Sequence, residues 1–201
     1  FNSEAVTAEP SLGVNLTDKG AIAVDERMET NIPGIYAIGD VTGKTMLAHG
    51  ASAEGIVAAE NATGGNRVMD YRVVPACNFT SPELASVGLT EKEAAAAGAP
   101  VKTGRFSYGS SGRAHAIGET EGMVKIVGDA RTGEVLGVHI LGAEAGELIA
   151  SAAMAMKLEA TAEEMADTIH THPTLSEIIK EAAEDLLGIG IHTPPSKAKR
   201  G

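Results

Sequence analysis

A histidine and a glutamate five residues apart, His172 and Glu177, stand just before and at the start of a predicted helix. An unperturbed imidazole has a pKa of about 6.5, so His172 could take up and release a proton near neutral pH while Glu177 orients its ring. In the alternative interpretation, Glu177 only caps the helix and His172 is a polar loop residue, because capping motifs are common. A helix N-terminus disfavours the imidazolium whereas a carboxylate favours it, and the residues alone leave both interpretations open.

The last predicted helix positions this pair. Gly188 marks its C-terminal stop, and the apolar residues before that glycine recur at helical spacing along one face. Thr174 and Glu177 have the spacing of a capping box, which predicts that the helix begins at Thr174. His172 is therefore expected just before the first turn, close to its unpaired N–H groups. The apolar face comprises Leu175, Ile178, Ile179, Ala182, Ala183, Leu186 and Leu187.

The remaining patterns predict an α+β fold, with an antiparallel sheet flanked by helices and preceded by an α/β layer. Beyond residue 70, strand-like runs come first and helices later, and a hairpin connection containing glycine joins the last two strands. Thr90 and Glu93 form another predicted capping box. Residues 109–112 are interpreted as a turn and not a phosphate loop, because no Lys-Ser/Thr pair follows them. The predicted strands span 21–24, 35–38, 73–79, 101–106, 123–128 and 134–141, and the earlier helices span 47–62, 90–97, 146–158 and 161–169.

Composition and charge narrow the classes of function. Of 201 residues, 16 are Lys or Arg and 27 are Asp or Glu, which gives a formal net charge of −11 and argues against nucleic acid and anionic membranes as partners. Cys77 is the single cysteine, so an intrachain disulfide is excluded and a reducing compartment such as the cytoplasm is favoured. A buried, inert thiol is expected at this position. The chain has neither an apolar run of about 18 residues nor a recognisable signal peptide. Its first residue is Phe1, which leads us to expect processing or a larger parent chain.

Three motifs, in order along the chain, resemble those of the flavoprotein disulfide reductase family. Residues 30–40 (TNIPGIYAIGD) resemble its second flavin-binding fingerprint, and residues 172–177 (HPTLSE) resemble its C-terminal active-site motif. Residues 79–88, with FTSPE and then SVG, resemble the start of its interface domain. The resemblance implies a C-terminal portion, with 1–70 as an incomplete segment of the FAD-binding domain, 71–190 as the interface or dimerisation domain, and 191–201 as a flexible tail.

The resemblance also implies roles for individual residues. His172 would be the acid–base that takes a proton from a substrate dithiol, Glu177 would orient its ring, and the His172–Pro173 peptide would be cis. Asp40 would accept hydrogen bonds from the ribityl chain of FAD, with helix capping as the alternative. Residues 46–49 would lead into a helix whose N-terminus faces the flavin ring, although such a run alone is typical of ordinary helix packing. The cofactor-binding residues implied are Gly39, Asp40, Met46, Leu47, Ala48 and His49.

In function, the motifs are most similar to those of family members that oxidise dihydrolipoyl groups of 2-oxo acid dehydrogenase complexes, with FAD as cofactor and NAD as co-substrate. The resemblance implies a homodimer, because the family's acid–base histidine completes the active site of the other subunit. Mercuric reductase, another member, and a module for dimerisation alone are the alternatives. One cysteine cannot form the family's redox disulfide, so the isolated chain is expected to have no reductase activity. No metal site is expected, since no third ligand accompanies His170 and His172.

Overall fold

The computed structural model describes residues 12–193, and the chain divides into two compact units with the division between Tyr71 and Arg72. Phe1 and residues 194–201 of the predicted tail lie outside the described residues. The N-terminal unit contains the helix α1 (Ala48–Ala62), which confirms the helix predicted at 47–62. A 3-10 turn (Gly39–Thr42) comes before this helix.

The strands predicted at 21–24 and 35–38 in the N-terminal unit are wrong. Each of these segments pairs at a single residue, so no ladder of hydrogen bonds develops along it. The isolated bridges join Leu16 to Ile22 and Glu29 to Tyr36. Burial of a few side chains holds the unit together, with Met28, Val57 and Ala58 at its centre and Val24, Tyr36 and Met69 packed against them.

The C-terminal unit is built on a five-stranded antiparallel sheet, which confirms the α+β prediction. Its strands are β1 (Ala76–Asn78), β2 (Glu83–Gly88), β3 (Val101–Ser107), β4 (Met123–Asp129) and β5 (Val135–Gly142). They lie in the order β1-β2-β5-β4-β3, so β5 is central and β3 is an edge strand. The run predicted at 73–79 shortens to three residues, and β2 is an unpredicted strand. Only Ala85 and Val87 are buried in β2, and two apolar positions are too few to give a strand pattern.

Within the described residues, five helices complete the C-terminal unit: α2 (Glu91–Ala96), α3 (Gly112–Ile117), α4 (Ala145–Lys157), α5 (Ala162–Asp167) and α6 (Glu177–Leu187). Thr90 and Glu93 form the predicted capping box at α2. Helix α3 is unpredicted, because Ser111 caps a helix where only a turn was expected. Helix α4 packs on β2 and β5, and α6 packs on β3 and β4. No helix within residues 12–193 is both long and apolar enough to cross a membrane.

Helix α6 lies close against the edge strand β3. Gly104 of β3 is buried, and a Cβ atom at this position would lie 2.1 Å from the backbone oxygen of Ala182 in α6. The backbone N–H of the next residue, Arg105, donates a 2.8 Å hydrogen bond to the carboxylate of Asp185. The missing side chain at Gly104 therefore allows the close approach that fixes α6, and with it the segment before α6, on the sheet.

Candidate functional site

The segment before α6 brings His172 and Glu177 together. The Nδ1 atom of the His172 ring lies 2.9 Å from Oε1 of Glu177. The second carboxylate oxygen, Oε2, accepts a 2.8 Å hydrogen bond from the backbone N–H of Thr174. The His172–Pro173 peptide is cis, as the resemblance implied. The carboxylate is thus held at both oxygens, while the His172 side chain is 79% exposed to solvent.

The local backbone explains why the carboxylate points at the histidine, and it corrects the predicted start of the helix. Helix α6 begins at Glu177, so the prediction that it starts at Thr174 is wrong. Only half of the expected capping box forms. The Thr174 hydroxyl donates a 2.7 Å hydrogen bond to the backbone oxygen of Thr171 and does not cap the N–H groups of the helix. The Thr174 N–H holds one oxygen of Glu177, which leaves the other oxygen turned toward His172.

The electrostatics of the pair keep Glu177 ionised. Partial burial of this carboxyl raises its pKa, but the N–H of Thr174 and the hydrogen bond from His172 outweigh burial, and the charges of His172 and His170 add to the lowering. The net pKa of Glu177 therefore lies below its ordinary value. An ionised carboxylate accepts hydrogen bonds only, so Nδ1 of His172 is the donor and Nε2 is left to exchange protons.

The residues predicted to bind a cofactor lie on two turns of the N-terminal unit. Gly39 has φ +73° and is the first residue of the 3-10 turn. Asp40 is the second residue of this turn, so it is not a helix cap, and its side chain is exposed. Met46 has φ +50° and precedes Leu47, the N-cap residue of α1, whose side chain caps nothing. The first turn of α1 thus receives no capping hydrogen bond from the side chain of its N-cap residue. Ala48 and His49 in the first turn of α1 are exposed.

Glu54 is a residue of this region that sequence reasoning missed. Its side chain is fully buried, and Oε2 accepts a 2.6 Å hydrogen bond from the N–H of Gly39. The Tyr71 hydroxyl donates a 2.9 Å hydrogen bond to Oε1, and burial together with this carboxylate raises the pKa of Tyr71. Glu54 thereby ties α1 to the turn that carries Asp40. A signal was present, because Glu54 stands three residues before Val57 on the buried face of α1.

The other histidines of the C-terminal unit divide into two kinds. His115, His139 and His170 each place a ring nitrogen 2.8–3.1 Å from a backbone carbonyl oxygen. His192 differs, because its Nδ1 atom lies 2.7 Å from Oε1 of Glu181 in α6. Sequence reasoning missed this contact, since His192 falls in the segment predicted to be a flexible tail. Within residues 12–193, no three His, Cys, Asp or Glu side chains form a group that could hold a metal ion.

Cys77 of β1 is half-buried, whereas a buried thiol was predicted. Burial raises the pKa of the Cys77 thiol above its ordinary value, and the negative charge of Glu83 raises it further. The thiol is therefore protonated at neutral pH and weakly nucleophilic, as expected for an inert cysteine.

Comparison with known families gives two matches. Residues 74–183 match the family described as pyridine nucleotide-disulphide oxidoreductase, dimerisation domain. Residues 2–55 match the family described as pyridine nucleotide-disulphide oxidoreductase.

Comparison with individual proteins points the same way. The chain is 52% identical over 180 residues to a dihydrolipoyl dehydrogenase of Thermus scotoductus, which covers 90% of this chain and 39% of that protein. It is 46% identical over 193 residues to a dihydrolipoyl dehydrogenase of Halobacterium salinarum, covering 96% of this chain and 40% of that protein. The crystal structure of LpdA from Mycobacterium tuberculosis is similar with a TM-score of 0.84 and 33% identity, over 92% of this chain and 40% of that one. This chain thus spans about two fifths of the length of each.

Proposed function

This chain belongs to the pyridine nucleotide-disulphide oxidoreductases, and from that premise we propose that it is the C-terminal part of a dihydrolipoyl dehydrogenase. Residues 1–70 would be the returning segment of the FAD-binding domain and residues 71–190 the dimerisation domain. The observation that carries the proposal is the contact between His172 and Glu177, because it supplies an oriented base on an exposed surface. The names of the similar proteins support the choice of a dihydrolipoyl group as substrate over mercuric ion.

His172 would act on the dithiol of the substrate. Nε2 of its ring would accept the proton of one thiol, and the resulting thiolate is the form that attacks a disulfide. Glu177, held by the N–H of Thr174, would keep the ring in the required tautomer and stabilise the imidazolium that forms. In the second half of the exchange, the same imidazolium would return its proton to a leaving thiolate.

Gly39, Asp40 and residues 46–49 would hold FAD. Asp40 would accept hydrogen bonds from ribityl hydroxyls, and the start of α1 would face the ring with its N–H groups. Bound FAD would supply an acceptor for two electrons that are then passed to NAD. Glu54 would keep the Asp40 turn in place through its contact with Gly39.

The active form would be a homodimer, and its partners would be the dihydrolipoyl groups of 2-oxo acid dehydrogenase complexes. Exposed apolar side chains of the C-terminal unit support an interface, because large apolar groups seldom stay in water without a partner. Within the described residues, the most exposed are Ile169, Phe79 and Ile191, at 95%, 82% and 81%. A cytoplasmic location would suit a reaction that cycles between dithiols and disulfides.

A chimera tests the proposal. This chain replaces the matching segment of the Thermus scotoductus dihydrolipoyl dehydrogenase, and reduction of NAD by dihydrolipoamide is measured. We expect turnover by the chimera, none by this chain alone, and a loss of about 10²–10⁴-fold in His172→Gln, the usual contribution of an acid–base group. His115→Gln, whose ring contacts a backbone carbonyl, is the control and should retain activity. Equal activity of the two variants would reject His172 as the acid–base.

A further inference from the structure

A second histidine–carboxylate pair repeats the geometry of the first one. Nδ1 of His192 lies 2.7 Å from Oε1 of Glu181, and Nδ1 of His172 lies 2.9 Å from Oε1 of Glu177. The two glutamates are four residues apart on α6, so they lie one above the other on the same helix face. Both pairs line one cavity of about 170 Å³.

The charges around His192 are mainly negative. Helix α6 presents Glu177, Glu181 and Glu184 to the two cavities that His192 lines, and Lys180, the one cation of α6 there, is bonded to Glu184 at 2.6 Å. The hydrogen bond to Glu181 raises the pKa of His192, and the charges of Glu181, Glu184 and Glu177 raise it further. Asp167 at the end of α5, and His170 and His172 in the segment before α6, face the same two cavities.

We propose that His192 is a positioning residue for the acid–base pair. Its imidazolium, hydrogen-bonded to Glu181, neutralises that carboxylate in the cavity that His172 and Glu177 also line. Without that charge, the Glu181 carboxylate would add a negative potential one helical turn from Glu177. A negative potential favours the protonated form of His172, which leaves less of the neutral imidazole that can accept a thiol proton. The inference rests on the proposed function only in taking His172 as the acid–base.

The test is an NMR titration of the histidine rings in the full chain, which needs neither FAD nor turnover. In His192→Gln, we expect the titration midpoint of the His172 ring to rise by about 0.3 pH units, since that ring is largely exposed and water screens the charge of Glu181. In the double variant His192→Gln/Glu181→Gln, no net charge is added, so the midpoint should return to that of the parent chain. His139→Gln, which removes a ring bonded to the backbone oxygen of Leu89, is the control and should change nothing.

Each outcome decides the point. An unchanged His172 midpoint in His192→Gln would overturn the proposal, and so would an equal rise in the double variant, because that would indicate a structural change and not a charge effect. An amide spectrum with the dispersion of the parent chain establishes that each variant is folded. If the chimera with His172→Gln stays active while the midpoints shift as expected, the proposed function fails, but the effect of His192 on His172 stands. If that chimera loses activity while the His172 midpoint does not shift, only the proposed role of His192 fails.

Discussion

Removing the buried carboxylate of Glu54 should loosen the turn that carries Asp40. In Glu54→Ala, the Gly39 N–H loses its acceptor, and the Tyr71 hydroxyl keeps only the sulfur of Met28 at 3.5 Å. A buried polar group left without a good partner costs about 1–3 kcal/mol, so the two groups together give roughly 2–6 kcal/mol of local destabilisation. Glu54→Gln keeps an acceptor for Gly39, and the tyrosine hydroxyl can rotate to accept from the new amide, so its cost should be about 1 kcal/mol.

Amide hydrogen exchange at Gly39 measures this effect directly, because exchange follows the free energy of local opening. A loss of 2 kcal/mol or more corresponds to exchange about 30-fold faster or more in Glu54→Ala. Glu60→Ala is the matched control, since Glu60 lies on the same helix but is half-exposed and pairs with Arg67 at 3.1 Å. Equal exchange at Gly39 in the alanine variants of Glu54 and Glu60 would refute the assignment of Glu54 as the residue that holds the turn.

Two further predictions concern α6 and the segment before it. Gly104→Ala should lower the free energy of unfolding by about 2–3 kcal/mol, because the new methyl group would lie 2.1 Å from a backbone oxygen of α6. Urea denaturation checks this against Gly112→Ala, whose methyl group meets nothing within 4 Å; equal losses would contradict it. The pKa of Glu177 is lower in the folded chain than in the unfolded chain, where it is about 4.3. The ionised carboxylate therefore stabilises the folded chain above the unfolded pKa, and this stabilisation is lost as pH falls through the folded pKa. The melting temperature of the parent chain should exceed that of Glu177→Gln by an amount that shrinks between about pH 5 and pH 3, and a constant difference in melting temperature would speak against this reasoning.

The sequence predicted those parts of the fold whose pattern repeats along the chain. Helix α6 shows its apolar face over three turns, and β5 shows alternation with a hairpin before it, so both were found. The failures come from short segments. Ile22 and Tyr36 sit in strand-like runs but bridge at single residues, and tertiary contacts decide their conformation. Strand β2 was missed because only two of its residues are buried and most of its pairing is with β5, which is distant in sequence.

The candidate site shows the same division between local and distant contacts. His172 and Glu177 are five residues apart, and a local turn brings them into contact, so the sequence could indicate the pair. Glu54 lies 15 residues from Gly39, and His192 lies 11 residues from Glu181. Contacts of that range depend on how the chain folds back, which spacing along the sequence does not encode.

The hydrogen bond from the Arg105 N–H to Asp185 has a consequence for how this protein behaves at high concentration. The outer strand of a sheet offers unpaired backbone groups that can template the addition of a strand from another molecule. In β3, one such donor is already occupied by a carboxylate of α6. An incoming strand would have to displace that carboxylate, so α6 obstructs the addition of a strand at this position of β3.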